Sequence, residues 1–349
     1  IRPLFPDGYS NEIQLIATVL SADQENAPNV LALIGASAAI GMSPIPFAKT
    51  IAGVRVGRVG GEYVVFPKIP QVAEGDLDIT MAVSRDSIVM VEGGAREVDE
   101  DALTGALRFG HEEGLKVLDA IERLVKLAGQ AKWPFEPQTG NADLAAQVES
   151  IALARLRDAV RIANKADRRA AVHAIRDEAV AAVAERFPDS EKAVGALVHD
   201  IERDVVRKMV LDDGVRLDGR APDAIRPITC RVGVLPRTHG SALFTRGETQ
   251  ALAVTTLGTA IDEQRVDDLE GDYTKSYMLH YNFPPFSVGE VRPIRGTSRR
   301  EVGHGALAER SIEPVIPNDE LFPYTVRLVS DILEANGSSS MATVCAGAL

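Results

Sequence analysis

The sequence contains little cysteine, few aromatic residues and no long hydrophobic run. Its two cysteines, Cys230 and Cys345, are too few and too far apart for a disulfide framework or a cysteine-rich metal site, and they fit a reducing cytoplasm. No run of about 18 uninterrupted apolar residues is present, so we expect no membrane span and no signal-peptide core. A hydrophobic content of 45% over 349 residues is ordinary for a soluble globular protein of two or three domains.

Positive charge is also in deficit, since the formal net charge is −12. This balance by itself argues against a nucleic-acid partner, because phosphate contacts need basic patches. The arginines are nevertheless clustered, and a local basic surface can form on an acidic protein. The two clusters are Arg226, Arg231, Arg237 and Arg246, followed by Arg292, Arg295, Arg299 and Arg300. A solvated run of charges is the alternative interpretation.

The pattern of apolar residues divides the chain into three parts. Residues 1 to about 106 carry short β-forming runs, among them 13–20, separated by Gly- and Pro-containing turns, and a helix is predicted from 101 to about 128. Residues 131–141 are a predicted linker, and 142–212 have apolar residues at helical spacing, which predicts about three helices. Short strands return from residue 215 onward.

The most informative stretch is residues 336–342 (NGSSSMA), where three serines follow a glycine and lead into a small apolar run that predicts a buried helix. The first turn of this helix would present hydroxyls and N–H groups without intrahelical partners, an arrangement that binds anions and phosphate above all. Upstream, residues 297–305 (TSRREVGHG) carry paired arginines, whose guanidinium forks match phosphate oxygens. Together the two stretches predict a site for phosphate, inorganic or on a nucleic-acid backbone.

Four long motifs closely resemble those of the bacterial polynucleotide phosphorylase family, in the same order and at the same spacing. They are residues 235–250 (LPRTHGSALFTRGETQ), 280–290 (HYNFPPFSVGE), 299–305 (RREVGHG) and 336–342 (NGSSSMA), with shorter matches at 1–6 (IRPLFP), 34–38 (IGASA) and 109–112 (FGHE). The resemblance covers essentially the whole chain. It implies an α/β (α+β) fold, in which two ribonuclease PH-like domains of mixed sheet and helices are joined by an all-helical domain.

The resemblance also implies where the domains lie. Residues 1–130 would form the back part of the first ribonuclease PH-like domain. Residues 131–213 would form the linker and the all-helical domain. Residues 214–349 would form the front part of the second ribonuclease PH-like domain, which carries the phosphate site.

The activity that the resemblance implies is processive 3′-to-5′ phosphorolysis of single-stranded RNA, as in mRNA degradation. Inorganic phosphate, the co-substrate, attacks the terminal phosphodiester and releases a nucleoside diphosphate, and the reverse reaction polymerises nucleoside diphosphates. The family further implies a cytoplasmic homotrimer, Mg²⁺ or Mn²⁺ as cofactor, and the RNA-degradation machinery as a further partner.

Two groups of residues are the expected centre of this chemistry. Ser338, Ser339 and Ser340 would hold the attacking phosphate with their hydroxyls and backbone N–H groups. Arg299 and Arg300 would hold the scissile or 3′-terminal phosphate. Because two anions must be brought together, charge neutralisation and positioning dominate such a reaction.

Five further residues are candidates with less specific roles. His304, between two glycines, is expected to orient a phosphate or ribose, with a structural role as the alternative. Arg237, His239 and Arg246 are candidates for contacts to the RNA backbone. Phe283 is a candidate for stacking on bases, although a core turn is the competing interpretation.

The two α/β parts are similar enough to indicate an internal repeat. Residues 1–6 parallel 312–317, and the match at 34–37 falls at the same offset as 345–348. At this offset the three serines face Ala27, Pro28 and Asn29. We therefore expect only the second repeat to keep a phosphate site.

The metal ligands are left unassigned by the sequence. In the family, two aspartates and a lysine that follow the serine helix serve the metal site, and this chain ends at Leu349 before them. The matching stretch of the first repeat keeps Asp78, with Val72 and Thr80 at the other two positions. We expect the chain to be the middle of a longer polypeptide, without the family's KH and S1 modules. The acidic cluster of Asp267, Asp268, Glu270 and Asp272 is expected to be an exposed loop.

Three alternatives stay open at this point. Because the metal-binding aspartates lie beyond the chain end, the chain could act as a non-catalytic RNA-binding or assembly fragment. A hydrolytic nuclease would need no phosphate and would release monophosphates. A composite domain could also form from residues 39–130 and 213–311, which are complementary halves of the repeat.

Overall fold

A computed structural model describes residues 1–47, 49–136, 140–269, 271–318 and 320–349. These residues divide into two compact units, one formed by 1–135 with 227–349 and the other by 136–226. Glu270 of the acidic cluster and residues 137–139 of the predicted linker lie outside the described residues.

The strands all belong to the first unit. They are β1 (Ala52–Val59), β2 (Glu62–Val65), β3 (Leu77–Val83), β4 (Ile88–Ala95), β5 (Ile228–Val232), β6 (Gly240–Arg246), β7 (Thr249–Gly258), β8 (Gln264–Asp268), β9 (Gly271–Lys275), β10 (Tyr277–Asn282) and β11 (Thr325–Glu334). The α-helices of this unit are α1 (Pro28–Met42), α2 (Ile69–Glu74), α3 (Glu100–Ala128), α7 (Arg299–Ile312) and α8 (Ser339–Ala348). The second unit contains α4 (Ala142–Ala159), α5 (Lys165–Val183) and α6 (Glu191–Asp213).

An antiparallel sheet of four strands, in the order β2-β1-β3-β4, occupies the N-terminal part of the first unit. Its core consists of alternate side chains such as Val54 and Val56 on β1, together with the inner face of α3. Gly110 and Gly114 let α3 lie directly on the sheet, because a Cβ at either position would collide with Met81 or Val83.

A mixed sheet of five strands, in the order β10-β11-β7-β6-β5, forms the C-terminal part of the same unit. Only β10 and β11 are parallel within it, and α7 provides the crossover that a parallel pair requires. Ala342 and Ala346 of α8 are buried, and these small residues let the helix pack closely on β7. The predicted mixed α/β fold with an all-helical region between its parts is therefore confirmed.

The helical unit is held together by an apolar stripe on each helix. Buried residues such as Val148, Leu156, Ile175 and Val198 form its core. Helix α6 ends where Gly214 adopts a left-handed conformation with φ of 66°, as is common at a helix C-terminus. The three helices expected between 142 and 212 are present.

The internal repeat is visible in the backbone. Short 3₁₀ helices at Arg2–Leu4 and Glu313–Val315 are 311 residues apart, and so are the first residues of α1 and α8, Pro28 and Ser339. The spacing between the two elements is thus the same in both copies.

Two sequence expectations are wrong in detail. The β-forming run at 13–20 is not a strand. Its repeat counterpart lies in β11, which pairs with a strand on each side. The run itself has no hydrogen-bonded strand beside it among the described residues. Backbone N–H and C=O groups need such a partner to form a ladder. The acidic cluster is an exposed hairpin rather than a loop, since Asp267 pairs with Asp272 across β8 and β9.

Candidate phosphate-binding site

The chain enters α8 through two residues with left-handed backbones, Gly337 with φ of 86° and Ser338 with φ of 43°. Glycine adopts this conformation freely, but a serine does so at a cost of about 1–2 kcal/mol. Ser338 is exposed and its side chain does not cap the helix, whereas Ser339 and Ser340 are each only 7% exposed. The strained turn therefore presents one serine to solvent and buries two at the start of the helix.

The turn between β6 and β7 holds this entry loop in place. Arg246 Nη2 donates hydrogen bonds to the carbonyl oxygens of Gly337 at 2.9 Å and Ser338 at 3.3 Å. The Thr249 hydroxyl accepts a hydrogen bond from the Asn336 amide at 3.0 Å, and the Asn336 side chain donates to Glu248 at 2.6 Å. Arg246, expected to contact RNA, thus braces the serine loop.

Helix α7 begins with a capping box. The Ser298 hydroxyl accepts from the Glu301 amide, while the Glu301 carboxylate accepts from the Ser298 amide at 2.7 Å and from the Phe283 amide at 2.9 Å. Burial opposes ionisation of Glu301, but these amide hydrogen bonds outweigh it and lower the pKa of the carboxyl group. The carboxylate therefore ties the start of α7 to the end of β10.

Arg299 and Arg300 are the first two residues of α7, and both are exposed. They belong to the first turn, where backbone N–H groups have no intrahelical acceptor and the helix dipole has its positive end. This combination favours an anion at the α7 N-terminus.

A chain of polar contacts connects the start of α8 to the second turn of α7. Tyr281 on β10 is 3% exposed, and its hydroxyl lies 2.7 Å from Ser339 Oγ and 3.4 Å from His304 Nδ1. The His304 and Tyr281 rings also meet edge to face, with centroids 5.4 Å apart. The structure thus links His304 to Ser339, but it does so through a tyrosine that the sequence analysis did not single out.

The other residues predicted to contact RNA lie in different parts of the structure. Arg237 is exposed near the start of the β6 hairpin. His239 Nδ1 accepts a hydrogen bond from the Leu257 amide at 2.9 Å, so this ring fixes the hairpin. Phe283 packs against the core beside Tyr281, while Phe286 is 60% exposed and is the better placed ring for stacking.

Among the described residues, no group of three or more His, Cys, Asp or Glu side chains could hold a metal ion. The donor set therefore does not fit a magnesium site in this part of the protein. Asp78, the aspartate kept by the first repeat, is held by Arg55 in a two-pronged ion pair at 2.8 and 2.9 Å. A carboxylate that is neutralised in this way is a poor ligand for a cation.

Tyr281 and Thr249 contact the serine stretch in the structure, and sequence reasoning did not identify them. A signal for Tyr281 exists, because Tyr277, Leu279 and Tyr281 alternate along β10 and all point inward. Thr249 gives no comparable signal, since its partners lie 87 and 88 residues away.

Both cysteines, Cys230 and Cys345, are free and exposed. Each helix in the described ranges is too short or too polar to cross a membrane.

Family models match three stretches of the chain. Residues 224–349 match the 3′ exoribonuclease family, domain 1, and residues 49–113 match domain 2 of the same family. Residues 143–221 match the RNA binding domain of polyribonucleotide nucleotidyltransferase. Both sheet-containing regions thus match models of the 3′ exoribonuclease family.

Relatives match along the entire chain. The polyribonucleotide nucleotidyltransferase of Citrifermentans bemidjiense is 51% identical over 349 residues, and that of Anaeromyxobacter dehalogenans is 53% identical over 359 residues. Each match covers 100% of this chain and 50% of the relative, so the chain spans about half the length of the curated relatives it matches. The chain belongs to the polyribonucleotide nucleotidyltransferase family.

Solved structures give weaker matches. An Archaeoglobus fulgidus exosome with RNA bound to the active site is 20% identical and covers 42% of this chain and 58% of that chain, with a TM-score of 0.34. That score is too low to define a common fold.

Proposed function

We propose that this chain takes part in the 3′-to-5′ phosphorolysis of single-stranded RNA and carries the phosphate-binding part of the active site. The observation that supports this most directly is the link between α7 and the first residue of α8. The start of α7 carries two exposed arginines, and the start of α8 carries three serines. Tyr281 contacts both Ser339 of α8 and His304 in the second turn of α7.

The proposed reaction brings two anions together. An oxygen of inorganic phosphate attacks the phosphorus of the terminal phosphodiester, the bond to the 3′ oxygen of the preceding nucleotide breaks, and that oxygen takes up a proton. The products are a nucleoside diphosphate and an RNA shortened by one nucleotide. Ser338, Ser339 and Ser340 would hold the attacking phosphate, while Arg299 and Arg300 would neutralise the phosphate of the RNA end.

The distribution of charge supports separate roles for the serines and the arginines. Dispersed charge on an acidic protein repels RNA, so binding depends on local clusters of arginine. Arg292, Arg295, Arg299 and Arg300 are all exposed on the loop that leads into α7 and on its first turn. RNA would therefore approach the site from the α7 side, where Phe286 is available for stacking.

Several further features of the whole protein are part of the proposal and come from the family. They are a homotrimer, a cytoplasmic location, the RNA-degradation machinery as partner, and Mg²⁺ or Mn²⁺ as cofactor. No step is assigned to the metal here, because the described residues offer no ligand set for it.

The test is to incubate the chain with poly(A), magnesium and phosphate and to measure ADP, with a phosphate-free control. Phosphate-dependent ADP release would support a complete phosphorolytic site. Release of AMP without phosphate would favour a hydrolytic nuclease and would refute phosphorolysis.

A second candidate function is a non-catalytic RNA-binding or assembly module. The lack of a metal-ligand cluster in the described part of the chain favours it. In this case the same incubation would yield no ADP, yet the chain would still bind RNA and phosphate would compete with that binding.

A further inference from the structure

Tyr281 occupies an unusual position for a core aromatic residue. Its ring is part of the core between the five-stranded sheet and α7, and α7 lies against it at Gly305, where an added Cβ would make ordinary van der Waals contact with Tyr281 Cβ at 3.4 Å. Its hydroxyl, however, meets the first residue of α8 on one side and His304 of α7 on the other. The phenol is thus a polar group that contacts both the start of α8 and the second turn of α7.

The direction of the hydrogen bonds decides what this phenol can do. A serine hydroxyl has one proton, so Ser339 cannot donate to Tyr281 and to an anion at the same time. If Tyr281 donates to Ser339, the serine proton is free to point at a phosphate oxygen. If Ser339 donates to Tyr281, that proton is used inside the protein.

The contacts of Tyr281 allow the orientation that serves an anion. Burial raises the pKa of the Tyr281 phenol further above neutral, and the protonated phenol can act as the donor to Ser339. His304 Nδ1, when it carries a proton, can donate to the phenol oxygen and complete a chain in which each group donates to the next. At 3.4 Å, the contact between His304 Nδ1 and the phenol oxygen is the longer of the two polar contacts that the phenol makes.

We propose that Tyr281 is a positioning residue of the phosphate site, which turns the Ser339 hydroxyl toward the bound anion and couples it to His304. The proposal rests on the proposed function in one respect, namely that the α8 N-terminus binds phosphate. It adds a residue that does not itself touch the anion and that acts through Ser339.

The matched control lies on the same strand. Tyr277 is 6% exposed, similar to Tyr281, but its hydroxyl is buried without a hydrogen-bond partner among the described residues. Tyr277→Phe therefore removes a phenol oxygen of the same kind at the same depth, without breaking a link to the site.

The experiment is calorimetric titration of inorganic phosphate into the chain, with chloride as the control anion. We expect Tyr281→Phe to weaken phosphate binding about tenfold, as for loss of a hydrogen bond that serves a charged ligand, and Tyr277→Phe to leave it unchanged. Because Tyr281 acts through Ser339, the double variant Tyr281→Phe/Ser339→Ala should bind phosphate no more weakly than Ser339→Ala alone. Thermal unfolding of each variant separates loss of binding from loss of fold.

Every result of these titrations either supports or overturns the positioning role of Tyr281. Phosphate affinity in Tyr281→Phe equal to that of the unmodified chain, additive losses in the double variant, or no phosphate binding by the unmodified chain would each overturn the proposal. If phosphate binding depends on Tyr281 while RNA is not phosphorolysed, the positioning role stands and the proposed function fails. The two are therefore distinguishable.

Discussion

Helices α1 and α8 begin at corresponding positions of the repeat but offer an anion very different surroundings. At α1 the first residue is Pro28, which has no N–H to donate, the Ala27 side chain cannot cap, and the Asn29 side chain accepts from its neighbour Val30 at 2.8 Å. At α8 three serines follow a left-handed turn that Arg246 braces. The two copies of the repeat have the same backbone spacing, but only the second copy carries the serines of the candidate phosphate site.

The comparison shows that a helix start is not by itself a phosphate site. Both helices have unpaired N–H groups and the same dipole. What distinguishes α8 is contact with other elements, namely the β6–β7 turn, Tyr281 of β10 and the N-terminal part of α7. Four variants test the contributions of α7 and of the β6–β7 turn, and whether serines alone suffice at a helix start.

The largest effect is expected from the arginines of α7. Replacing Arg299 and Arg300 with alanine in the full-length protein should lower phosphorolysis at least tenfold, because the charges that neutralise phosphate are lost. The fold should persist, since both side chains are exposed. The assay is phosphate-dependent release of ADP from poly(A), with Arg310→Ala at the other end of α7 as the control. Unchanged rates in the double variant would remove these residues from the site.

Replacing Arg246, which holds the serine loop in place, should have the next largest effect. Arg246→Ala breaks two hydrogen bonds to the Gly337 and Ser338 carbonyls, so we expect a loss of about 1–2 kcal/mol in the free energy of unfolding. Phosphate affinity should fall as well, because the loop is no longer held. Denaturant unfolding and phosphate titration measure the two effects. Arg237→Ala, which alters an exposed side chain, should leave stability unchanged, and equal losses in both variants would argue against a brace.

Acid should affect the start of α7 and leave the start of α1 alone. The pKa of Glu301 is lowered in the fold, so its cap stabilises the protein above the ordinary carboxyl pKa of 4.5 and is lost as the pH falls through the lower folded value. The contribution should be well under about 1 kcal/mol, given its partial exposure. Because other carboxyl groups such as Asp218 and Asp262 also have lowered pKa values, the fall in stability from pH 7 to pH 3, followed by unfolding, should be slightly shallower in Glu301→Gln than in the unmodified chain. An identical slope in both proteins would assign it to other groups.

The smallest effect is expected from giving α1 the missing hydroxyls. Replacing Ala27, Pro28 and Asn29 with serine in the Ser339→Ala background should not restore phosphate binding, because the new hydroxyls lack the links that Tyr281 and Arg246 provide at α8. Phosphate titration checks this. Restored affinity would mean that three serines at a helix start suffice.

Much of the fold could be predicted from local patterns. Helix α3, the three helices of the second unit and most strands follow from periodicity and from glycine and proline positions, because these signals depend on neighbouring residues. The run at 13–20 shows the limit, since its composition favours a strand but a strand needs a partner that local sequence does not specify.

The candidate site divides in the same way. The serines and paired arginines were visible because each group is contiguous in sequence. The contacts that join them were not, because Tyr281 and Ser339 are 58 residues apart and Arg246 and Gly337 are 91 apart. Such contacts depend on strand register and on the crossover through α7, which are properties of the folded chain.

The run at 13–20, which has no strand partner among the residues that the structure describes, has a practical consequence for handling this polypeptide. Ile16 is 79% exposed and Leu20 is 92% exposed, in a stretch without charge, proline or glycine. Segments of this composition stack between molecules into cross-β assemblies when they are free to do so. Concentrated samples should therefore gain colloidal stability from a lysine at position 16, and mutual repulsion from the net charge of −12 should weaken as salt is added.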